Sequence, residues 1–203
     1  MGGGIAQVAA LHGLTVYLYD IKQELVDKGL KGIADAWDKL VARGKMAAGD
    51  SDAALPRIIG TLDMQDAAKA DVVIEAAVEK LDVKRSLFSK LSGIVSPDCI
   101  LATNTSSLSI TAVASAVGRP DKVVGLHFFN PVPRMALIEI IRGVEVPDLH
   151  AVRDETLHFL FTTPHFPRIP LHDEGGDRGR ERHTREREAH KLHFPPDNAK
   201  ERV

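Results

Sequence analysis

A single cysteine stands in 203 residues. That excludes an internal disulfide and fits a reducing compartment, so the cytoplasm is the expected location. Cys99 lies in Ser96-Pro97-Asp98-Cys99-Ile100, at the entry to an apolar strand with no base beside it, which marks an inert buried thiol. The chain also lacks any apolar run of about 18 residues, which excludes a transmembrane helix. Its first residues show no basic segment followed by an apolar one, so no secretory signal is expected. Excess charge is missing too: a formal net charge of -2 gives no electrostatic case for nucleic acid or an anionic membrane as partner. No internal repeat is evident. What is present, 44% hydrophobic and 27% charged residues, is the composition of an ordinary globular domain with an appendage.

The first 146 residues alternate strand-like and helix-like periods, the signature of an α/β fold. Gly4 to Leu11 is small and apolar, suited to a helix packed closely on a sheet. Thr15 to Tyr19 reads as a strand finishing at Asp20, and Ile21 to Arg43 as a long amphipathic helix carrying Leu25, Leu30, Ile33, Trp37 and Leu40. Gly44 to Ala53 reads as a polar break and Ile58 to Leu62 as a short strand. Ala70 to Ala76 is a compact apolar run, expected to be a strand buried on both faces. A helix follows from about Val83 to Leu91, then a strand from Cys99 to Thr103, with Ser109 as N-cap of a helix over Ile110 to Val117. Val123 to Phe128 and Leu137 to Ile141 complete the set.

Beyond Val146 the composition changes. Residues 147–163 are compatible with one helix, and residues 164–203 are a charged tail rich in Pro, His and Arg without apolar periodicity. From His172 to Val203 eight basic and eight acidic residues balance. Such a segment buries too little apolar surface to offset its ordering entropy, so little order is expected beyond a marginal helix at Arg178 to Leu192. Sequence of this kind also arises from a shifted reading frame. His183, His190 and His193 fall near one helical face but lack a carboxylate or cysteine set of recognised geometry, so no metal site is expected.

The chemistry concentrates between Asn104 and Glu139. His127 ends an apolar strand and is followed by Phe128-Phe129 and the rigid turn Asn130-Pro131-Val132-Pro133, which fixes its exit geometry. Glu139 lies twelve residues on, in the neighbouring strand and between Ile138 and Ile140. An unpaired carboxylate there is costly, and an imidazole partner offsets the cost. The same pairing fixes the imidazole tautomer, as a general base requires. Asn104 follows a strand at the carboxyl edge, where open α/β sheets bind ligands. Asp20 stands at the end of the strand after the glycine-rich helix, where a carboxylate accepts hydrogen bonds from adenosine ribose hydroxyls and repels a 2′-phosphate. On its own, Glu79-Lys80-Leu81-Asp82-Val83-Lys84 reads as a solvated helix start with Glu79 near the positive end of the dipole.

Taken together, Asn104-Thr105-Ser106-Ser107, Leu126-His127-Phe128-Phe129-Asn130-Pro131-Val132-Pro133 and Glu139 resemble the NAD-binding domain of the L-3-hydroxyacyl-CoA dehydrogenases. The resemblance runs from Met1 to about Val146. It implies a Rossmann-like, doubly wound parallel sheet, NAD as cofactor and an acyl-CoA substrate, with 3-hydroxybutyryl-CoA expected. It also implies His127 as the base that takes the 3-hydroxyl proton, Glu139 as its orienting partner and Ser106 on the reacting oxygen. Asn104 would hold the nicotinamide end and substrate, and Glu79 and Lys84 would lie beside the cofactor's ribose and nicotinamide side. Gly2 matches the third glycine of the dinucleotide fingerprint, the one for close helix–strand packing. The apolar strand and two phosphate-turn glycines that precede it in the family have no counterpart here, so the sheet is expected to lack the strand beside the one ending at Asp20. The family's helical second domain, with its substrate-contacting asparagine and homodimer interface, is likewise unmatched. The alternative is a non-catalytic gene fragment of such an enzyme, with weak or no NAD binding.

Overall fold

The structure, a computed structural model, describes residues 1–135 and 137–143, together with the backbone of 189–193. It is a Rossmann-like α/β arrangement whose strands form two separate sheets. Helix α1 (Gly2–Leu11) leads into strand β1 (Val16–Tyr19), then the long helix α2 (Gln23–Ala42), a short α3 (Ala48–Ala54) and β2 (Ile58–Thr61). Strand β3 (Val72–Glu75), helix α4 (Leu81–Ser92), β4 (Ile100–Thr103), α5 (Ile110–Ala114) and β5 (Val123–Phe128) follow. Strand β6 (Leu137–Arg142) returns beside β5, and β7 (Ala189–His193) lies at the edge beyond it.

β1 and β2 pair in parallel as a two-stranded sheet, while β3-β4-β5-β6-β7 form the larger one. Strands β3 to β5 are parallel to one another, and the chain reverses after β5 so that β6 and then β7 add antiparallel. The division falls between β1 and β3, and β7 joins the far edge of the larger sheet, away from it.

α1 spans the division because its two sides are both apolar. Ile5 belongs to one core with Ile100, Ala102, Val124, Leu126 and Ile140, while Ala6 and Ala10 belong to another with Ile33, Trp37 and Ile58. Small residues let the helix lie close: a Cβ on Gly4 would stand 3.2 Å from the Val132 side chain. α2 is equally close to its sheet, since a Cβ on Gly60 would come within 2.5 Å of Val26. A third core on the other face of the larger sheet gathers Phe88, Leu91, Cys99, Leu101, Ile110 and Val123.

Four sequence expectations need correction. The stretch read as a polar break holds most of α3, a mainly exposed helix that buries only its last residue, Ala54. β3 is only half-buried at Val72, Val73 and Ile74, because no described strand covers its outer edge. α5 ends at Ala114 instead of Val117, although Ser109 does cap it, accepting from the Ala112 amide at 3.2 Å. Residues 189–193 are a strand, not the end of a helix, paired antiparallel to β6. The expected helix at 147–163, and the remainder of the tail, lie outside the described residues.

Candidate functional site

His127 and Glu139 are direct cross-strand partners in the β5–β6 ladder. Antiparallel partners project to the same face, so the register alone brings their side chains together. Nδ1 of His127 lies 2.9 Å from Oε2 of Glu139, and each side chain is 20% exposed. A carboxylate can only accept, so the imidazole donates from Nδ1 and keeps its lone pair on Nε2. Phe129 packs a tilted ring 4.8 Å from the imidazole centroid, restricting its rotation. The result is an oriented, half-sheltered imidazole.

The carboxyl ends of β3 and β4 carry a second, tighter network. Glu75 ends β3 and is buried; its carboxylate accepts from the Thr103 hydroxyl at 2.6 Å, the Ala77 amide at 2.6 Å and Lys84 at 2.8 and 2.9 Å. Lys84, on α4, is fully buried and reaches Oε2 of Glu79 at 3.2 Å. Glu79 in turn accepts from the Thr105 hydroxyl, from the Ser106 amide at 3.2 Å and from the Ser107 hydroxyl at 3.4 Å. Burial works to raise the Glu79 pKa, but the hydrogen bonds from Thr105 and Lys84, the Lys84 charge and the Ser106 amide outweigh it. The carboxyl is held below the ordinary glutamate range.

Asn104 ties this network to the base. Its amide donates to the Glu75 carbonyl at 2.7 Å, and its side-chain oxygen accepts from the Phe128 amide, next to His127, at 2.8 Å. With Oδ1 engaged, the Nδ2 hydrogens are left to donate, since no described residue accepts them. Ser106 sits in the exposed loop after Asn104, with its backbone held by Glu79 and no described partner for its hydroxyl.

The remaining predicted residues lie toward the smaller sheet. Asp20 stands just past β1, one carboxylate oxygen accepting from the Ile21 amide at 2.7 Å and the other open. It lines a cleft of about 390 Å³ with Gly3, Gly4 and Gln7 of α1 and Lys28 and Gly32 of α2. The α1 N-terminus has no side-chain cap. The Gly4 amide donates to the Met1 carbonyl at 2.9 Å, while the Gly2 and Gly3 amides have no described acceptor, the arrangement by which helix starts receive anionic groups. A carboxylate for sugar hydroxyls beside a glycine-lined helix start fits the adenosine and pyrophosphate portions of NAD. Gly2 is not where close packing occurs: its Cβ would make an ordinary 3.9 Å contact with Ala76, and the tight approach belongs to Gly4.

The structure thus joins His127 to Glu139 and links Asn104, Ser106, Glu79 and Lys84 in one network, with Asp20 in the cleft beside α1 and α2, which Gly2 does not line. Lys84 is not part of a solvated helix start; it is buried because two carboxylates surround it. Glu75, Thr103 and Thr105 were not singled out in the sequence. Glu75 could have been found by the argument used for Glu139, a carboxylate within the apolar run Val72-Val73-Ile74-Glu75-Ala76. Cys99 is buried as expected, and burial, reinforced by the charge of Asp71, pushes its thiol up to about 11. Among the described residues no metal-binding cluster occurs, and no helix is long and apolar enough to cross a membrane.

Comparison with known proteins agrees with this geometry. The family described as 3-hydroxyacyl-CoA dehydrogenase, NAD binding domain, matches residues 1–160. A probable 3-hydroxybutyryl-CoA dehydrogenase of Deinococcus radiodurans is 48% identical over 81% of this chain and 59% of its own. The 3-hydroxyadipyl-CoA dehydrogenase of Escherichia coli is 47% identical over 71% of this chain and 30% of its own. The crystal structure of (S)-3-hydroxybutyryl-CoA dehydrogenase from Ralstonia eutropha superposes with a TM-score of 0.75 at 43% identity, covering 79% of this chain and 57% of that one. The chain therefore spans less than two thirds of these relatives. With the nucleotide cleft, the imidazole–carboxylate pair and these matches in agreement, the chain belongs to the 3-hydroxyacyl-CoA dehydrogenase family, in the part that forms the NAD binding domain.

Proposed function

We propose that this chain takes part in NAD-linked oxidation of the C3 hydroxyl of an L-3-hydroxyacyl-CoA, with 3-hydroxybutyryl-CoA as the favoured substrate. The observation that carries the proposal is the His127–Glu139 pair at 2.9 Å, placed at the strand ends that also hold Asn104 and Ser106. NAD, when bound, supplies the hydride acceptor. His127 takes the hydroxyl proton on Nε2 while Glu139 stabilises the imidazolium that forms. The Ser106 hydroxyl hydrogen-bonds the reacting oxygen, and the Asn104 Nδ2 hydrogens hold the nicotinamide amide or the acyl carbonyl. Asp20 takes the adenosine ribose, favouring NAD over a 2′-phosphorylated cofactor. Gly2 and the α1 N-terminus lie at the pyrophosphate side. A single cysteine, which can form no internal disulfide, fits a reducing, cytoplasmic setting.

A second reading, a non-catalytic form with weak cofactor binding, is favoured by the separation of β1 from β3. Calorimetric titration with NAD separates the two. We expect binding at least tenfold weaker than in a version extended ahead of Met1 by an apolar strand and a Gly-x-Gly turn, a difference of about 1.4 kcal/mol. Equal affinities would show that the divided sheet does not limit the cofactor site. NADH appearing on addition of 3-hydroxybutyryl-CoA and NAD supports the enzymatic reading. Absence of turnover in both versions removes it.

A further inference from the structure

Lys84 is enclosed by two carboxylates. Glu75 accepts from it at 2.8 and 2.9 Å, and Glu79 forms an ion pair with it at 3.2 Å. The ammonium is fully buried between them. Its charge is nevertheless put to use, because it fixes one oxygen of Glu79 while the other faces the loop after Asn104. On that second oxygen converge the Thr105 hydroxyl, the Ser106 amide and the Ser107 hydroxyl. Thr105, itself buried, then accepts from the Leu108 amide at 3.0 Å and the Ser107 amide at 3.4 Å. The chain of contacts runs from Glu75 through Lys84, Glu79 and Thr105 to the backbone on both sides of Ser106.

We propose that Glu79 and Thr105, anchored through Lys84 to the buried Glu75, are positioning residues that clasp the loop 105–108 and set where the Ser106 hydroxyl stands. The assignment differs from a direct contact between Lys84 and the cofactor. It makes α4 a support for the loop, its charge neutralised before any ligand arrives. The consequence for chemistry rests on the proposed role of Ser106; the clasp itself does not.

The test uses the whole chain and four variants: Glu79→Gln, Thr105→Val, Thr105→Ser and the double Glu79→Gln/Thr105→Val. None removes the buried Lys84–Glu75 pair, so folding is retained. Amide hydrogen exchange at Ser106, Ser107 and Leu108 is the primary readout. We expect Glu79→Gln and Thr105→Val each to speed exchange there by roughly tenfold or more, the size of losing one charge-assisted hydrogen bond. Exchange in β4 and β5 stays unchanged. Thr105→Ser, which keeps the hydroxyl, should restore protection, and the double variant should be little worse than either single one. Unchanged exchange in both single variants, or additive effects in the double, overturns the clasp whatever the activity. Turnover of 3-hydroxybutyryl-CoA is read in parallel. A loosened loop with kcat reduced and the Michaelis constant for NAD unmoved supports the link to Ser106. A loosened loop with kcat intact leaves the clasp standing and removes Ser106 from the proposed mechanism.

Discussion

The two sheets divide the work unequally. The smaller, β1 and β2, is half-exposed along most of its length and is held by Trp37, Ile33 and Ile58 against α1 and α2. The larger carries β4, buried at every residue, and β5, buried at all but His127. The cleft lined by Asp20 opens beside the former, and the His127–Glu139 pair sits on the latter. The imidazole–carboxylate pair is thus backed by the more completely buried strands.

The sharpest way to break that comparison is on the reacting side. His127→Gln should lower turnover of 3-hydroxybutyryl-CoA by roughly 10²–10⁴-fold, the span of a lost general base. Glu139→Gln should lose activity through the same residue, so the double variant is expected to be little worse than His127→Gln alone. Steady-state kinetics following NADH absorbance reads both, and multiplied losses would show two independent roles.

Stability offers the next contrast. Trp37 is completely buried in the smaller core, and its indole N–H has no described partner. Trp37→Ala should cost about 3–5 kcal/mol, a large part of the stability of an ordinary domain. Hydrogen exchange should show β1 and β2 losing protection while β4 and β5 keep theirs. Loss in both sheets together would mean that α1 couples them into a single cooperative unit.

The smallest effect is expected at Asp20. Asp20→Ala removes one exposed contact to a sugar and should raise the Michaelis constant for NAD by roughly three- to tenfold, on the scale of one hydrogen bond, with kcat unchanged. A fall in kcat would place Asp20 nearer the chemistry than its position past β1 allows.

Much of this was legible in the sequence, for identifiable reasons. The strand Val123 to Phe128 announces itself as an apolar run buried almost throughout, and the helix around Trp37 by the period that one-sided burial imposes. His127 and Glu139 were legible because a carboxylate between two isoleucines requires a partner, and a histidine lay at the right separation. Lys84 was misread because its burial depends on carboxylates from a strand end and a loop, a relation that no helical period displays. Glu75 was passed over since its partner is a lysine nine residues on that looked solvent-bound. α3 was missed because seven residues of alanine, glycine, serine and aspartate carry too little apolar contrast. The half-exposure of β3 could not be read from β3 at all, as it reflects a neighbour and not its own composition.

The cross-strand register of His127 and Glu139 has a further consequence for how the site comes into being. Their meeting is set by backbone alignment, which the connecting turn helps to fix, and a one-residue slip in the ladder would send the two side chains to opposite faces. The His127–Glu139 pair is therefore assembled in the same event that zips β5 to β6. A partly folded chain with those strands misaligned has every side chain it needs and no dyad, and a nuclear magnetic resonance signal from the His127 Nδ1 proton would serve as a direct reporter of correct pairing.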